Sequence, residues 1–273
     1  MFGDDIYGAS LLGTPEQVSG FSKQEIMERY KRLISENGFE FFYVGQKSAD
    51  EVEDRIRNIF MKYVSGNKTS LAEPFSVGQG GKDVKRVDES MDLAQGKLVL
   101  GFRSGINVCS DNFFAMLVAN EIYGGSPVSK LFMNVREKMS LCYYCSSSYD
   151  IYKGTIFVSS GVAIDDRSVA QEEILRQLDS MKNGDISEEE FMLAKKSLFN
   201  SYRSIYDSPS AVESYYNGRN RFGVDCSVEE CMRSIADVTL AEVVEAAKKI
   251  DLDTVYFLSG KGNGEEEYDE DND

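Results

Sequence analysis

Residues 123–144 read YGGSPVSKLFMNVREKMSLCYY, and this stretch says most about the fold. The pair Gly124-Gly125 predicts the end of one helix and a tight turn into the next, because glycine adopts backbone conformations closed to other residues. Leu131 and Val135, four positions apart, predict the buried face of that next helix, which ends near Arg136. A helix end, a turn, a second helix and the start of a strand are therefore expected in succession.

The sequence on either side of this stretch predicts an α+β fold: an antiparallel sheet with helices packed on one face. Residues 97–102 form an apolar run short enough to be a covered strand. Residues 141–149 and 155–162 flank a turn and predict an antiparallel hairpin. Helices that follow a hairpin, instead of alternating with single strands, favour the α+β class. The predicted helices cover residues 111–123, 128–138, 166–182, 187–206, 209–221, 227–236 and 240–250.

Two distant segments of the chain share one pattern. Residues 21–26 and 238–243 each contain a capping box, in which a Ser or Thr side chain and a Glu side chain satisfy free amides at a helix start. An amphipathic helix follows in each copy, and then a short β-rich run, 39–45 in one and 254–260 in the other. The apolar positions of the two helices are Ile26, Tyr30 and Leu33, and Val243, Ala247 and Ile250. The pattern indicates an internal repeat, although two unrelated helix–strand pairs would look the same.

As a repeat, this pattern divides the chain into four parts. Residues 1–63 are then the C-terminal remnant of a first half-domain, and residues 84–260 are a complete second half-domain. Residues 64–83 are rich in turn formers and are predicted to be a linker. Residues 261–273 carry an acidic run typical of a disordered, solubilising tail. The pattern indicates that the chain is a truncated part of a longer parent.

The composition favours an acidic, cytoplasmic protein. The 273 residues carry a formal net charge of −16, which argues against nucleic acid and anionic lipid as partners. No apolar run is long enough to span a membrane, and residues 1–5 lack the basic and apolar regions of a signal peptide. Five cysteines, an odd and sparse set, indicate free thiols and a reducing compartment. We therefore expect a soluble protein without nucleic-acid or membrane partners.

Cys142 and Cys145 have the spacing of a redox motif without its predicted context. Redox pairs need the first cysteine at a helix N-terminus, which lowers its pKa. Here both lie in the predicted strand 141–149, where residues three positions apart face opposite sides. The sequence therefore favours buried structural thiols.

Arg136 and Tyr143 are the candidate binding residues. An arginine presents a fixed fork of donors to a carbonyl or carboxylate, and a tyrosine on the adjacent strand adds one hydroxyl donor. Neither residue type is diagnostic, because an ion-paired arginine at a helix end and an ordinary strand tyrosine would look the same.

The same stretch resembles the second half-domain of the insulinase/pitrilysin zinc metallopeptidases, which include the mitochondrial processing peptidases. The glycine-rich loop, the helix end Arg136-Glu137-Lys138 and the strand start Leu141-x-Tyr143 carry the resemblance. It extends through residues 95–102 and 186–195. The first 63 residues resemble the end of the preceding half-domain, so the resemblance covers almost the whole chain except the linker and the tail.

The resemblance implies a substrate-binding role for four residues. In the family, an arginine and a tyrosine seven positions apart hydrogen-bond the peptide backbone around the scissile bond, which places this role on Arg136 and Tyr143. Gly124 and Gly125 belong to the adjoining loop and are expected to contact the substrate. The implied partner is a peptide or an unfolded protein.

The zinc-binding part of the family pattern is missing. These peptidases carry an inverted H-x-x-E-H helix whose histidines bind zinc while its glutamate activates water, and this sequence has no histidine. The cysteines do not form zinc-ligand pairs either, because Cys226 and Cys231 have no second pair nearby. We therefore expect no metal site and no catalytic residue in this chain, which would be inactive alone. Zinc is expected only in a missing half-domain or a partner subunit.

Two other functions stay open. One is a purely structural subunit, similar to the core proteins of respiratory complexes, in which the half-domain persists only as a scaffold. The other is an unrelated α+β binding module. The favoured hypothesis is a non-catalytic, substrate-binding part of a zinc metallopeptidase that forms a dimer with a zinc-bearing half-domain or subunit of the same family.

Overall fold

The computed structural model describes residues 1–3, 5–63, 83–91 and 95–260. Almost all of the predicted linker, 64–83, and the whole predicted tail, 261–273, lie outside these residues. The chain divides into two compact units: Met1–Pro74 together with Ile205–Arg221, and Phe75–Ser204 together with Phe222–Asp273. The division into half-domains stays a prediction.

The predicted helices and the hairpin are confirmed, with bounds that differ by a few residues. In the described part of the chain the helices are α1 (Pro15–Gly20), α2 (Lys23–Glu36), α3 (Ala49–Phe60), α4 (Phe113–Asn120), α5 (Arg167–Lys182), α6 (Glu188–Arg203), α7 (Pro209–Asn220), α8 (Val228–Asp237) and α9 (Leu240–Ala247). The strands are β1 (Lys85–Met91), β2 (Gly96–Arg103), β3 (Cys142–Asp150), β4 (Thr155–Val162) and β5 (Asp251–Gly260). Between α4 and β3 lie a first π-helix, Glu121–Gly125, and a second π-helix, Leu131–Lys138. Short 3-10 turns cover Ile6–Gly8 and Ser204–Asp207.

The first unit contains α1, α2, α3 and α7. Its helix α2 begins where the sequence predicts, because the Ser22 side chain accepts from the Glu25 amide and the Glu25 carboxylate accepts from the Ser22 amide at 2.8 Å. The β-rich run 39–45 forms no strand, so that expectation is wrong. No strand lies in the described residues of this unit, and an unpaired strand would leave its amides and carbonyls unsatisfied.

The two copies of the predicted repeat differ in burial. The three apolar positions of α2 are more than half exposed, and the three equivalent positions in and after α9 are completely buried. Helix α9 packs against α4 and α5 in the second unit, whereas α1, α2 and α3 contain no buried residue. The first unit therefore presents an apolar face that its described residues do not cover.

The second unit contains a five-stranded sheet in the order β1-β5-β2-β4-β3. Strand β2 pairs antiparallel with β4 and β5, and β3 pairs antiparallel with β4, as predicted. Strand β1 is the exception, because it pairs parallel with β5 at one edge. It has no apolar alternation, and only Val87 among its residues is even partly buried, so the sequence pattern does not reveal it.

The core of the second unit lies on one face of this sheet. Alternate residues of β2 and β4, such as Leu98, Leu100, Ile156 and Val158, are completely buried. The helices complete this core, since α4 packs against α6, α8 and α9. Burying side chains of this size stabilises the fold by about 1.5–3 kcal/mol each. The α+β arrangement with helices on one face is confirmed, and it leaves β3 as the second edge of the sheet.

Candidate functional site

The glycine pair lies in the first π-helix, which packs against β3. Gly124 is buried, and a Cβ atom placed on it would lie 2.6 Å from the backbone nitrogen of Ser147. Gly125 is exposed, and neither glycine has a positive φ. Gly124 is therefore required for the close approach of helix and strand, not for a left-handed turn. π-Helical segments are rare and occur frequently at functional sites.

Lys130, the residue before the second π-helix, joins this region to α6. Its side chain is only 7% exposed, and its Nζ lies 2.9 Å from Oε1 of Glu190. The Glu190 carboxylate also accepts a hydrogen bond of 2.8 Å from the Ser187 amide at the start of α6. Burial alone would raise the pKa of Glu190, but the hydrogen bonds from Ser187 and Lys130 outweigh it and hold that pKa below its usual value.

Arg136 lies in the last turn of the second π-helix with its side chain 38% exposed. Its guanidinium carbon lies 4.6 Å from the centre of the Phe132 ring. Its Nε is 3.6 Å from Oε1 of Glu137, too far for a hydrogen bond, so the carboxylate neighbour is only loosely paired. The Arg136 carbonyl accepts from the Ser140 amide at 3.1 Å, and Ser140 has φ +52°. This left-handed residue turns the chain sharply into β3.

Tyr143 is the extra residue of a β-bulge in the edge strand β3. Cys142 pairs with Val162 and Tyr144 pairs with the adjacent Gly161, so Tyr143 has no partner in the register. Its side chain is 75% exposed. Bulges change the direction of a side chain and are common next to active sites. Arg136 and Tyr143 thus lie at the same end of β3, although no hydrogen bond joins them in the described part of the chain.

The bulge also corrects the expectation for Cys142 and Cys145. Because one extra residue separates them, their partners in β4 are Val162 and Ser160, which are both buried on the core face. The two thiols therefore share one side of the strand and do not face opposite sides as predicted. Cys145 is buried as predicted, whereas Cys142 is only half-buried.

Cys142 has the lower pKa of the two thiols. The neighbouring Cys145 thiol, with smaller contributions from Ser160 and the positive charge of Arg136, lowers the pKa of Cys142 to about 7 against the effect of burial. The Cys145 pKa is raised, mainly by the hydrogen bond to Cys142 and by burial. Since the thiolate is the nucleophile, Cys142 should react at lower pH than an ordinary cysteine.

We expect the alkylation rate of Cys142 by iodoacetamide to rise with pH through a midpoint of about 7. The rate can be followed at that residue by peptide mapping between pH 5 and 10, with the exposed Cys109 as an internal control. Arg136→Ala should move the Cys142 midpoint to higher pH and leave the Cys109 profile unchanged, because it removes a nearby positive charge. A Cys142 midpoint at the value of an unperturbed cysteine, about 8.5, would refute the assignment.

The side chains of the described residues do not provide the ligand set of a zinc site. The sequence lacks histidine, and in residues 1–3, 5–63, 83–91 and 95–260 no three His, Cys, Asp or Glu side chains converge on a common position. Imidazole and thiolate ligands dominate zinc sites, so the donor set of these residues does not suit zinc. Over the same residues, no helix has both the length and the apolar character needed to cross a bilayer.

Sequence reasoning missed residues that shape the candidate site. Lys130 reads as an ordinary helical lysine, and its burial depends on α6, far along the chain. Asn120 and Ser147 were also missed: the Ser147 hydroxyl donates to Oδ1 of Asn120 at 2.8 Å and links the end of α4 to β3. No local signal in the sequence identifies these contacts, because each contact joins residues from two different elements.

Comparison with known proteins gives consistent results. Residues 20–198 match the family model described as the peptidase M16 inactive domain. The Bacillus subtilis (strain 168) protein named "Probable inactive metalloprotease YmfF" is 29% identical over 257 residues, 94% of this chain and 60% of YmfF. A conserved protein of known structure from Enterococcus faecalis V583 has a TM-score of 0.82 at 28% identity, covering 93% of this chain and 59% of that one. The M16 inactive domain from Pseudomonas fluorescens shares the fold, with a TM-score of 0.74 at 16% identity, over 94% and 62% of the two chains.

The α+β fold of the second unit is shared with the solved structures of the Enterococcus faecalis and Pseudomonas fluorescens proteins. The family model matches well over half of the sequence, so the chain belongs to the peptidase M16 family and contains its inactive domain. The predicted resemblance to the insulinase/pitrilysin peptidases is thereby confirmed. The chain spans about 60% of the length of the curated relatives it matches.

Proposed function

We propose that the second unit binds an extended peptide along the free edge of β3, with Arg136 and Tyr143 contacting the peptide backbone. Zinc and the hydrolytic step would come from another half-domain or subunit of the same family, in a dimeric arrangement of the two. The observation that carries the proposal is the bulge at Tyr143. The bulge exposes the phenol of Tyr143 at the start of an edge strand. The preceding residue, Cys142, is close enough to Arg136 for the arginine charge to lower its pKa.

The position of β3 supports binding by strand addition. In the described sheet β3 pairs only with β4, so its other side carries backbone groups that no strand in the sheet satisfies. An extended peptide can pair with such an edge through main-chain hydrogen bonds, and pockets for alternate side chains then give selectivity.

The surroundings of Arg136 support its role as a donor. Its contact with Glu137 at 3.6 Å is loose, and its cation–π contact with the Phe132 ring does not use the N–H groups. Arginine in this situation can direct two parallel N–H groups at a carbonyl or carboxylate. The Tyr143 hydroxyl adds one further donor.

Exposed apolar surface on the first unit supports the proposal that a second family member binds there. A cavity of about 470 Å³ in this unit is lined by aromatic and aliphatic side chains, among them Phe39, Phe41, Tyr43 and Phe60. Contiguous exposed apolar surface of this kind marks a site for another polypeptide surface. Helix α2 adds a separate exposed apolar face, formed by Ile26, Tyr30 and Leu33, and the equivalent face of α9 is covered by α4 and α5. A zinc-bearing half-domain of the same fold would cover this one in the same way.

Titration of an extended, fluorescently labelled peptide tests the peptide site. The net charge of −16 makes a basic peptide the suitable probe, and measurements at two salt concentrations separate general attraction from specific binding. Arg136→Ala should weaken binding by roughly 10- to 100-fold and Tyr143→Phe by roughly 2- to 10-fold, because charge-assisted hydrogen bonds are worth more than neutral ones. The measured quantity is the dissociation constant from fluorescence anisotropy.

Two control variants and a modified peptide sharpen this experiment. Tyr144→Phe changes the neighbouring, regularly paired tyrosine, and Arg233→Ala removes an exposed arginine from α8, which packs against α4 and α6 instead of β3. Both should bind as the native chain does. A peptide methylated at alternate backbone nitrogens should lose binding, because strand addition needs those N–H groups. If Arg136→Ala and Tyr143→Phe bind the peptide with the affinity of the native chain, the proposal is wrong.

A scaffold function is the second candidate, and the name of YmfF as an inactive metalloprotease favours it. A scaffold would assemble with its partner without using the β3 edge. The scaffold function predicts that, in a reconstituted complex with a zinc-bearing family member, Arg136→Ala leaves both assembly and peptidase activity intact. The substrate-binding function predicts intact assembly with lost activity.

A further inference from the structure

Cys226 and Cys231 bring their sulfur atoms unusually close together. The two Sγ atoms lie 2.9 Å apart, and no disulfide joins them. Ser227 caps the N-terminus of α8, so Cys226 precedes the cap and Cys231 follows four positions after it. Apolar side chains at these two positions often pack together across a helix start, but here both positions carry thiols.

The two thiols differ in their access to solvent. Cys231 is completely buried on the face of α8 that also carries Val228 and Ile235, and this face packs into the core of the second unit. Cys226 is only partly buried and lies in the segment that leads into the helix. A reagent from solvent therefore reaches Cys226 first. Among the cysteines of the described residues, only Cys231 is close enough to Cys226 to attack a mixed disulfide formed there.

The pair does not form a metal site with other residues. In the described part of the chain, no third His, Cys, Asp or Glu side chain joins it. Zinc in proteins takes four ligands, so two thiols alone are an incomplete site. Their separation instead suits a covalent bond, because a disulfide of about 2.05 Å needs the sulfurs to approach by roughly 0.9 Å.

We infer that Cys226 and Cys231 form a dithiol modification site that closes to an intramolecular disulfide by exchange with a low-molecular-weight disulfide. The Cys226 thiolate attacks one sulfur of the reagent, and the reagent S–S bond breaks to release one thiol. The Cys231 thiolate then attacks Sγ of Cys226 in the mixed disulfide and releases the second thiol. The two protein thiols are oxidised, the reagent disulfide is reduced to two thiols, and these take up the two protons.

The reaction can be measured on the intact native chain with glutathione disulfide as the probe. After equilibration at defined ratios of reduced and oxidised glutathione, the remaining thiols are alkylated and the protein is digested with trypsin. Cleavage after Arg221 and Arg233 releases both cysteines in one fragment, residues 222–233. We expect this fragment to lack two hydrogens and to resist alkylation.

Two variants test the order of the steps. Cys231→Ala should stop at the mixed disulfide and retain one glutathione on residue 226. Cys226→Ala should carry no adduct on the buried Cys231. Cys109→Ala, which removes the exposed cysteine, is the matched control and should form the disulfide as the native chain does. If the 222–233 fragment of the native chain stays fully alkylatable while Cys109 is glutathionylated, the inference is wrong. It is equally wrong if Cys226 pairs with a different cysteine.

Discussion

Gly124→Ala is expected to destabilise the second unit by about 3 kcal/mol, the upper end of the range for overpacking a core. The new methyl group would lie 2.6 Å from the backbone nitrogen of Ser147 and 2.7 Å from Cδ1 of Leu131. The leucine can change its side-chain conformation, but a strand backbone cannot move without disturbing the sheet. The first π-helix would therefore have to separate from β3.

Urea unfolding followed by far-ultraviolet circular dichroism measures this effect, since the chain has no tryptophan for fluorescence. Gly125→Ala is the matched control. Its nearest neighbour would be a Glu121 carboxylate oxygen at 2.7 Å, at the end of a side chain that can rotate away. The control should change the free energy of unfolding by less than about 1 kcal/mol. Equal destabilisation by the two substitutions would contradict the packing role of Gly124.

Lys130→Met is expected to cost about 2–3 kcal/mol of stability. The substitution keeps the length of the buried side chain but removes the ammonium group that lies 2.9 Å from Glu190. Breaking a fully buried pair costs more than this. Here the Glu190 side chain is 28% exposed and retains its hydrogen bond from Ser187, so the effect is smaller.

The pH dependence and a double variant identify the cause of this loss. The pKa of Glu190 is lowered in the folded chain, so its contribution is present above the pKa of the unfolded chain and is lost as the pH falls through the folded value. The difference between Lys130→Met and the native chain should therefore shrink on acidification. Lys130→Met combined with Glu190→Gln should recover much of the lost stability, because neither residue then keeps an unpaired buried charge. Additive effects of the two substitutions would rule out a coupled pair.

Local patterns accounted for most of the secondary structure. Capping boxes at Ser22, Ser187 and Thr239 start helices where predicted, because the groups that satisfy one another lie three residues apart. The hairpin of β3 and β4 was equally predictable from its turn. The failures, β1 and residues 39–45, concern strands, whose formation depends on a distant neighbour.

The sequence by itself determined the family, the order of the helices and of strands β2 to β5 in the second unit, and the lack of histidine ligands for zinc. These properties depend on residue identity and on spacings of a few positions. Only the tertiary structure decided that a bulge exposes Tyr143 and turns Cys142 toward the side of Cys145. It also decided that Gly124 packs against the backbone of Ser147, that Lys130 pairs with Glu190, and that the Sγ atoms of Cys226 and Cys231 lie 2.9 Å apart. Strand register, close approach and rotamer choice are settled by packing between elements, and no short stretch of sequence encodes them.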